Sequence, residues 1–134
     1  MELSIEAKTE NLYTVLAFID EQIEKAAPPM KVQMQIEVAV EEIFVNISQY
    51  AYAPNTGMAV IRVDLADDPA EIRISFIDSG VPYNPLAKDD PDVTLSVEER
   101  QIGGLGIYMV KKSMDDIFYE YKDGKNCLTI TKRI

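Results

Sequence analysis

The chain contains no histidine, and cysteine occurs once in 134 residues. The absence of histidine excludes the Ser-His-Asp and Cys-His catalytic centres and every metal site that depends on imidazole ligands. With Cys127 alone, no disulfide can form within the chain, which is typical of proteins from a reducing compartment. These absences direct the search for function toward carboxylates, amides and backbone groups.

Positive charge is also scarce, because 13 basic residues face 23 acidic ones and the formal net charge is −10. Such an excess repels polyanions, so we expect no binding to DNA or RNA. No apolar run approaches the roughly 18 residues that a membrane-spanning helix needs, and the N-terminus is unlike a signal peptide. We therefore expect a cytoplasmic protein that does not bind membranes. The length of the chain predicts a single domain over residues 1–134, and the hydrophobic content of 47% is typical of a globular protein.

Hydrophobic periodicity predicts the element order β-α-α-β-β-loop-α-β-β. Apolar residues at helical spacing predict a first helix capped by Thr9, a second over residues 31–50, and a third that ends near residue 116. Alternating polarity predicts five strands, over residues 2–7, 60–65, 71–80, 117–122 and 126–133. Because the helices are grouped rather than strictly alternating with strands, we expect an α+β sandwich with helices on one face of the sheet.

The segment EEIFVNI, residues 41–47, places two polar side chains beside an apolar helical stripe. Glu42 and Asn46 are four residues apart, so they lie one turn from each other on the same helix face. Either they form part of an ordinary solvated face, or Asn46 ligates a metal and Glu42 acts as a base. Oxygen ligands of this kind suit Mg²⁺, which bridges substrate phosphates.

The segment FIDSGVPYNP, residues 76–85, ends a strand with an acidic residue and a glycine. Asp78 has the same parity as the apolar strand residues before it, so we expect its carboxylate to face the core layer. Either Asp78 and Gly80 form a plain turn, or Asp78 accepts a hydrogen bond from an exocyclic amine such as that of adenine. In the second case, Gly80 would allow a flat ring to approach the backbone.

The segment RQIGGLGIYMV, residues 100–110, places three glycines directly before a helix. It lacks the Lys-Ser/Thr of a Walker A loop, and no strand precedes it as in a dinucleotide-binding turn. Gly103, Gly104 and Gly106 form either a flexible hinge or an anion site at a helix N-terminus. The polar stretch before them, residues 85–102, is long for a compact domain and predicts a binding loop or lid.

These three segments, in this order, resemble the boxes of the GHKL (Bergerat-fold) ATPase superfamily, and within it the bacterial anti-sigma-factor serine/threonine kinases. The segments EEIFVNISQYAY, DSGVPYNP and GGLGIYMVKKSMDDIFYEYKDGKNCLTITK carry the resemblance, which extends over nearly the whole chain. It implies a Bergerat-type sandwich with a mixed, mostly antiparallel sheet, and Mg-ATP as the cofactor.

The resemblance also implies roles for individual residues. Glu42 would be the catalytic base, Asn46 the Mg²⁺ ligand and Asp78 the adenine acceptor. The nucleotide-contacting glycines would be Gly80, Gly104 and Gly106. We also expect the turn from Gly103 to Gly106 to bind phosphates, and Arg100 is either a γ-phosphate contact or a solvated loop charge.

The expected function is phosphorylation of a serine or threonine on a small antagonist protein, by an anti-sigma regulatory factor that also binds a sigma factor or similar regulator. A homodimer is left open. The alternative is a nucleotide-gated module that binds a partner without transferring phosphate.

Overall fold

The structure is a computed structural model that describes residues 1–67, 70–87 and 105–134. Five strands form one sheet, and their bounds are Glu2–Glu6 (β1), Met58–Asp67 (β2), Ala70–Asp78 (β3), Asp116–Lys122 (β4) and Lys125–Arg133 (β5). Three α-helices cover residues Leu12–Ile23 (α1), Met30–Tyr50 (α2) and Leu105–Ser113 (α3). The strand order is β1-β2-β3-β5-β4, and each described pair is antiparallel. The predicted α+β class and mostly antiparallel sheet are confirmed, and no parallel pair accompanies them in the described ranges.

The first helix begins later than predicted. Thr9 does not cap it, because residues Thr9–Asn11 form a 3-10 helical turn and α1 begins at Leu12. Asn11 precedes the helix, but its side chain donates to the Glu6 carbonyl oxygen at 2.9 Å instead of capping the helix. The turn therefore links the end of β1 to α1, and the predicted cap was wrong.

The core lies between one face of the sheet and the helices. On β3, Ile72, Ile74 and Phe76 alternate inward and are each 1% exposed, while α2 contributes Val40 and Phe44, both fully buried. Full burial of such a side chain contributes about 1.5–3 kcal/mol relative to leaving it exposed. The apolar faces of β3 and α2 therefore hold the two layers together.

The sheet register brings two polar residues into the inward-facing row. In the β3–β5 pair, Phe76 lies opposite Leu128, and two residues further along Asp78 lies opposite Asn126. Both polar side chains are 6% exposed. The expectation that Asp78 faces the core layer is thus met, and the row of apolar pairs ends in a buried polar pair.

None of the helices in the described part of the chain combines the length and the apolar character that a bilayer span requires. The 21-residue helix α2 is the longest of them, and it is amphipathic.

Two carboxylates meet where α1 packs against α2. Burial, together with the neighbouring carboxylate of Glu37, raises the pKa of Asp20 from its ordinary value of 3.8 to about 6. Gln33 donates to Glu37 Oε1 at 3.3 Å, while Asp20 Oδ1 is buried without a hydrogen-bond partner in the described residues. The pair therefore favours a state in which one carboxyl keeps its proton.

We expect this pair to make stability depend on pH. Because the folded-state pKa lies above 3.8, the folded protein holds the proton more tightly than the unfolded chain. The resulting stability is fully present below about pH 4 and is lost as the pH rises to about 6. Asp20→Asn should therefore raise the unfolding temperature at pH 7 and have little effect at pH 4, as measured by circular dichroism.

Glu21→Gln is the matched control, because Glu21 is the next residue on α1 and its side chain is exposed. It removes one negative charge from the same helix and should leave the unfolding temperature nearly unchanged at both pH values. If Asp20→Asn behaves like Glu21→Gln at pH 7, the two carboxylates do not destabilise each other.

Candidate functional site

A cavity of about 410 Å³ opens between α2, the ends of β3 and β5, and the segment that follows β3. Most of its walls are apolar, and the residues that line it include Ile43, Ile47, Phe76, Val81, Pro82, Ile107 and Leu128. Three of the polar side chains that line it are Asn46, Asp78 and Asn126. An apolar cleft with a few fixed polar groups is the usual form of a small-molecule site.

Asp78 stands at the end of β3, and its carboxylate is held by neighbouring donors. The backbone N–H of Gly80 donates to Asp78 Oδ1 at 2.9 Å, and Asn126 Nδ2 donates to the same oxygen at 3.0 Å. Within the described residues, both hydrogen bonds to this carboxylate are accepted by Oδ1. Oδ2 is therefore left to accept a hydrogen bond from a molecule in the cavity.

Asn126 is a site residue that the sequence reasoning missed. Its Nδ2 also donates to the Val81 carbonyl oxygen at 2.9 Å, and its Oδ1 accepts from the Tyr83 backbone N–H at 3.1 Å and from the Tyr119 hydroxyl. The signal was available, because Asn126 has the same strand parity as the inward-facing Leu128. Strand parity places Asn126 beside Asp78 only once β5 is known to pair with β3.

The Tyr119 hydroxyl completes this polar group on the β4 side. Burial raises the pKa of Tyr119 above its ordinary value of 10.0, and the nearby negative charge of Asp78 raises it further. A hydrogen bond involving the Tyr83 backbone acts in the opposite direction. Tyr119 therefore remains a hydroxyl donor to Asn126 at neutral pH.

Asn46 and Glu42 occupy different positions on α2 relative to the cavity. The half-buried side chain of Asn46 lines the cavity and has no hydrogen-bond partner within the described part of the chain. Glu42 lies one turn earlier and is exposed, outside the residues that line the cavity. Asn46 can therefore offer its side-chain oxygen to a ligand or metal in the cavity, whereas Glu42 does not line the cavity.

Gly80 is required by packing against the end of α2. A Cβ atom on Gly80 would lie 2.6 Å from the carbonyl carbon of Ala51. The next residue, Val81, donates its backbone N–H to the Ala51 carbonyl oxygen at 3.1 Å. The close approach at this glycine is thus made by protein backbone, which gives a physical reason for the glycine apart from the predicted ligand contact.

Gly106 lies in the first turn of α3, directly against the carboxylate of Glu42. A Cβ atom on Gly106 would lie 2.9 Å from Glu42 Cδ. The structure thus brings together two predicted site residues from α2 and α3. The predicted contacts at Arg100, Gly103 and Gly104, and residues 88–102 of the predicted lid, lie outside the described residues.

Tyr52 links the end of α2 to the sheet beside the cavity. Its hydroxyl donates to the Met58 carbonyl oxygen at 2.6 Å and accepts from the Ser79 backbone N–H at 2.7 Å. The ring packs on Gly57, where a Cβ atom would come within 2.5 Å of it. The position of Asp78, next to Ser79, is therefore coupled to the position of α2.

No metal-binding group of three Asp, Glu or Cys side chains occurs among residues 1–67, 70–87 and 105–134. Asn46 instead fits Mg²⁺ in the form in which that ion retains water and binds phosphate oxygens beside one or two protein ligands.

The chain matches the family model described as "Histidine kinase-like ATPase domain" over residues 5–132. It is 27% identical over 101 residues to the serine/threonine-protein kinase BtrW of Bordetella bronchiseptica. The matched region covers 75% of this chain and 70% of BtrW. It is 34% identical over 103 residues to the serine-protein kinase RsbW of Bacillus cereus (strain AH187), covering 74% of this chain. The matched region is 62% of that RsbW, so the chain spans less than two thirds of this relative.

Solved structures show the same fold. The RsbU and RsbW domains of Rv1364c from Mycobacterium tuberculosis match with a TM-score of 0.67 at 20% identity, over 99% of this chain and 32% of that one. A chain of the SiaB-SiaC complex from Pseudomonas aeruginosa matches with a TM-score of 0.60 at 13% identity, over 98% of this chain and 89% of that one. These likenesses support the described architecture over nearly the full length of the chain.

Gly80 and Gly106 differ in what an added methyl group would meet, and this difference should appear in the free energy of unfolding. Gly80→Ala forces a methyl group against the Ala51 backbone, so we expect a loss of about 1–3 kcal/mol in the free energy of unfolding. Gly106→Ala meets only the flexible end of Glu42 and should change stability by roughly 0.5 kcal/mol or less. Urea unfolding of both variants provides the comparison, and equal stabilities would contradict the packing role assigned to Gly80.

Proposed function

The chain belongs to the histidine kinase-like ATPase family, and from this premise we propose that it binds Mg-ATP and phosphorylates a serine or threonine of a small antagonist protein. The observation that carries the proposal is the buried carboxylate of Asp78, whose Oδ2 is available in an apolar cavity. An adenine ring needs such a combination, because its faces are apolar and its exocyclic amine donates a hydrogen bond.

The adenine ring would enter between α2 and the segment after β3. Ile43, Ile47 and Val81 offer apolar contacts to the faces of a flat ring. Asp78 Oδ2 would accept from the exocyclic amine at the inner end of the cavity. A hydrogen bond to a charged group in a site of this kind contributes about 1.5–3 kcal/mol.

The phosphates would lie toward Asn46 and the start of α3. Asn46 would hold Mg²⁺ through its side-chain oxygen, and the metal when bound would neutralise phosphate charge. Gly106 lies in the first turn of α3, where free backbone N–H groups favour an anion. Gly103, Gly104 and Arg100 are proposed to complete the phosphate contacts, as the sequence predicts.

Glu42 is proposed to orient or deprotonate the attacking hydroxyl. Its carboxylate lies beside Gly106, and Glu42 is exposed, so a protein substrate could approach it. Phosphoryl transfer depends mainly on positioning and charge neutralisation, so a base in this place would supply only part of the rate enhancement.

The partner proposal follows the relatives, whose names identify BtrW as a serine/threonine-protein kinase and RsbW as a serine-protein kinase. We propose that this chain acts in the cytoplasm as an anti-sigma regulatory factor that binds an antagonist and a sigma factor or similar regulator. The single-domain organisation over residues 1–134 is also proposed, a homodimer stays open, and no nucleic acid is expected as a partner.

A second candidate function is a nucleotide-gated module that binds its partner without phosphoryl transfer. The observation in its favour is the exposed position of Glu42, outside the residues that line the cavity. Both functions require ATP binding, so they are separated by whether label from [γ-³²P]ATP appears on the partner.

The proposed adenine contact at Asp78 is tested by substitution. In Asp78→Asn, the new amide oxygen would accept from Gly80 and Asn126, so the amide NH₂ would face the donor amine of adenine. We expect ATP affinity to fall about tenfold to more than a hundredfold, as measured by isothermal titration calorimetry.

Asp64→Asn is the control, because Asp64 is an exposed aspartate on β2. It removes the same charge and should leave ATP affinity unchanged. Parent-like ATP affinity in a folded Asp78→Asn protein would remove Asp78 from the nucleotide site.

The next prediction separates the two polar residues of α2. Asn46→Ala should impair both Mg²⁺-dependent ATP binding and transfer to the antagonist. Glu42→Gln should retain ATP binding and lose roughly 10²- to 10⁴-fold in transfer rate, because it removes only the base. Calorimetry and [γ-³²P]ATP transfer assays on the same preparations provide the comparison.

Glu41→Gln serves as the control for this pair, since Glu41 is the neighbouring exposed glutamate on α2. It should bind ATP and transfer phosphate at the parent rate. Transfer at the parent rate by Glu42→Gln would show that Glu42 is only a surface residue.

A further inference from the structure

The orientation of the Asn126 side-chain amide is determined by its neighbours. The Tyr83 backbone N–H can only donate, so the atom of Asn126 that faces it at 3.1 Å must be the oxygen. The Val81 carbonyl can only accept, so the atom that faces it at 2.9 Å must be the NH₂ group. The Tyr119 hydroxyl adds a second donor to the oxygen. The NH₂ group is thereby directed toward Asp78 as well.

This orientation decides which atom of Asp78 is available to a ligand. Asn126 Nδ2 and the Gly80 N–H both donate to Oδ1, at 3.0 and 2.9 Å, so the carboxylate is held by one oxygen. Rotation of the carboxylate would break both hydrogen bonds in a place that is 6% exposed. Unpaired buried donors are costly, so the arrangement holds Oδ2 in place as an acceptor.

The same amide also holds one wall of the cavity. Val81, Pro82 and Tyr83 line the cavity, and Asn126 bonds the backbone of the first and the last of them. These residues follow β3 and belong to no helix or strand. One side chain on β5 therefore sets both the position of the carboxylate and the position of the wall that faces α2.

We propose that Asn126 is the positioning residue that gives this site its base specificity. By donating to Asp78 Oδ1, it keeps Oδ2 an acceptor, which favours a purine with an exocyclic amino group over one with a carbonyl at that place. The proposal rests on the nucleotide-binding function proposed above. A merely structural Asn126 would support the fold and affect the binding of both purines equally.

The test is Asn126→Asp, which retains the shape of the side chain and replaces the NH₂ donor by oxygen. Parent and variant are titrated calorimetrically with Mg-ATP and with Mg-ITP, whose hypoxanthine base carries a carbonyl in place of the amine. Measurements at pH 8.0 and 5.5 are expressed relative to the parent at the same pH, so that titration of the nucleotide phosphates cancels.

At pH 8.0 the two facing carboxylates repel each other, so we expect ATP affinity to fall about ten- to a hundredfold and ITP affinity to change much less. At pH 5.5 a proton shared between them restores a donor to Asp78, and most of the lost ATP affinity should return. Among the described residues, the titratable side chains that bond to position 126 are Asp78 and Tyr119, and Tyr121 lies near Tyr119. Burial keeps Tyr119 protonated across this range.

The result that would overturn the proposal is an equal loss of ATP and ITP affinity at both pH values, or no loss at all. Asp78→Asn, measured in parallel, separates a failure of the Asn126 positioning role from a failure of the nucleotide site. If Asp78→Asn weakens ATP binding and Asn126→Asp does not, Asn126 has no positioning role and the nucleotide site stands. If the parent binds no ATP, the proposed function and this inference both fail.

A second variant keeps the proposal testable if Asn126→Asp does not fold. Tyr119→Phe removes only the hydroxyl that donates to Asn126 Oδ1. We expect it to lower the ratio of ATP to ITP affinity by about two- to tenfold, because the amide is then held by fewer partners. An unchanged ratio in the folded variant would contradict the proposal.

Discussion

The hydrogen bond between Asp78 and Asn126 is the interaction on which the candidate site depends. It joins the ends of two adjacent strands, in a row that is otherwise apolar and belongs to the core. A buried carboxylate is costly unless donors surround it, and here two N–H groups do so at one oxygen. The chain thus keeps a charged group at the inner end of an apolar cavity without leaving its protein-facing oxygen unpaired.

The helix α2 connects the Asp78–Asn126 pair, where adenine is proposed to bind, to Asn46, the proposed metal ligand. Its C-terminal extension packs on Gly80 and bonds Val81 through Ala51, so the end of β3 cannot move independently of the helix. The same helix carries the core residues Ile36, Ala39, Val40, Ile43 and Phe44, and its Asn46 side chain lines the cavity. The helix α2 therefore holds the proposed adenine pocket and the proposed metal ligand at a fixed separation.

Local patterns in the sequence were sufficient for the fold class, for the order of elements and for the inward orientation of Asp78. They were insufficient where the outcome depends on contacts between distant segments. Asn126 escaped notice because its role requires the β3–β5 register, which joins residues 48 positions apart. The predicted cap at Thr9 failed because Asn11 bonds β1 instead. Gly80 was assigned to a ligand, although the Ala51 backbone also requires a glycine there.

A crystal structure of the protein with Mg²⁺ and a non-hydrolysable ATP analogue is the most direct test of the account. We expect the exocyclic amine of adenine to lie within hydrogen-bond distance of Asp78 Oδ2, while Oδ1 remains bonded to Gly80 and Asn126. We also expect the Asn46 side-chain oxygen to ligate Mg²⁺. Adenine bound elsewhere, or facing Asn126 with Asp78 turned away, would contradict it.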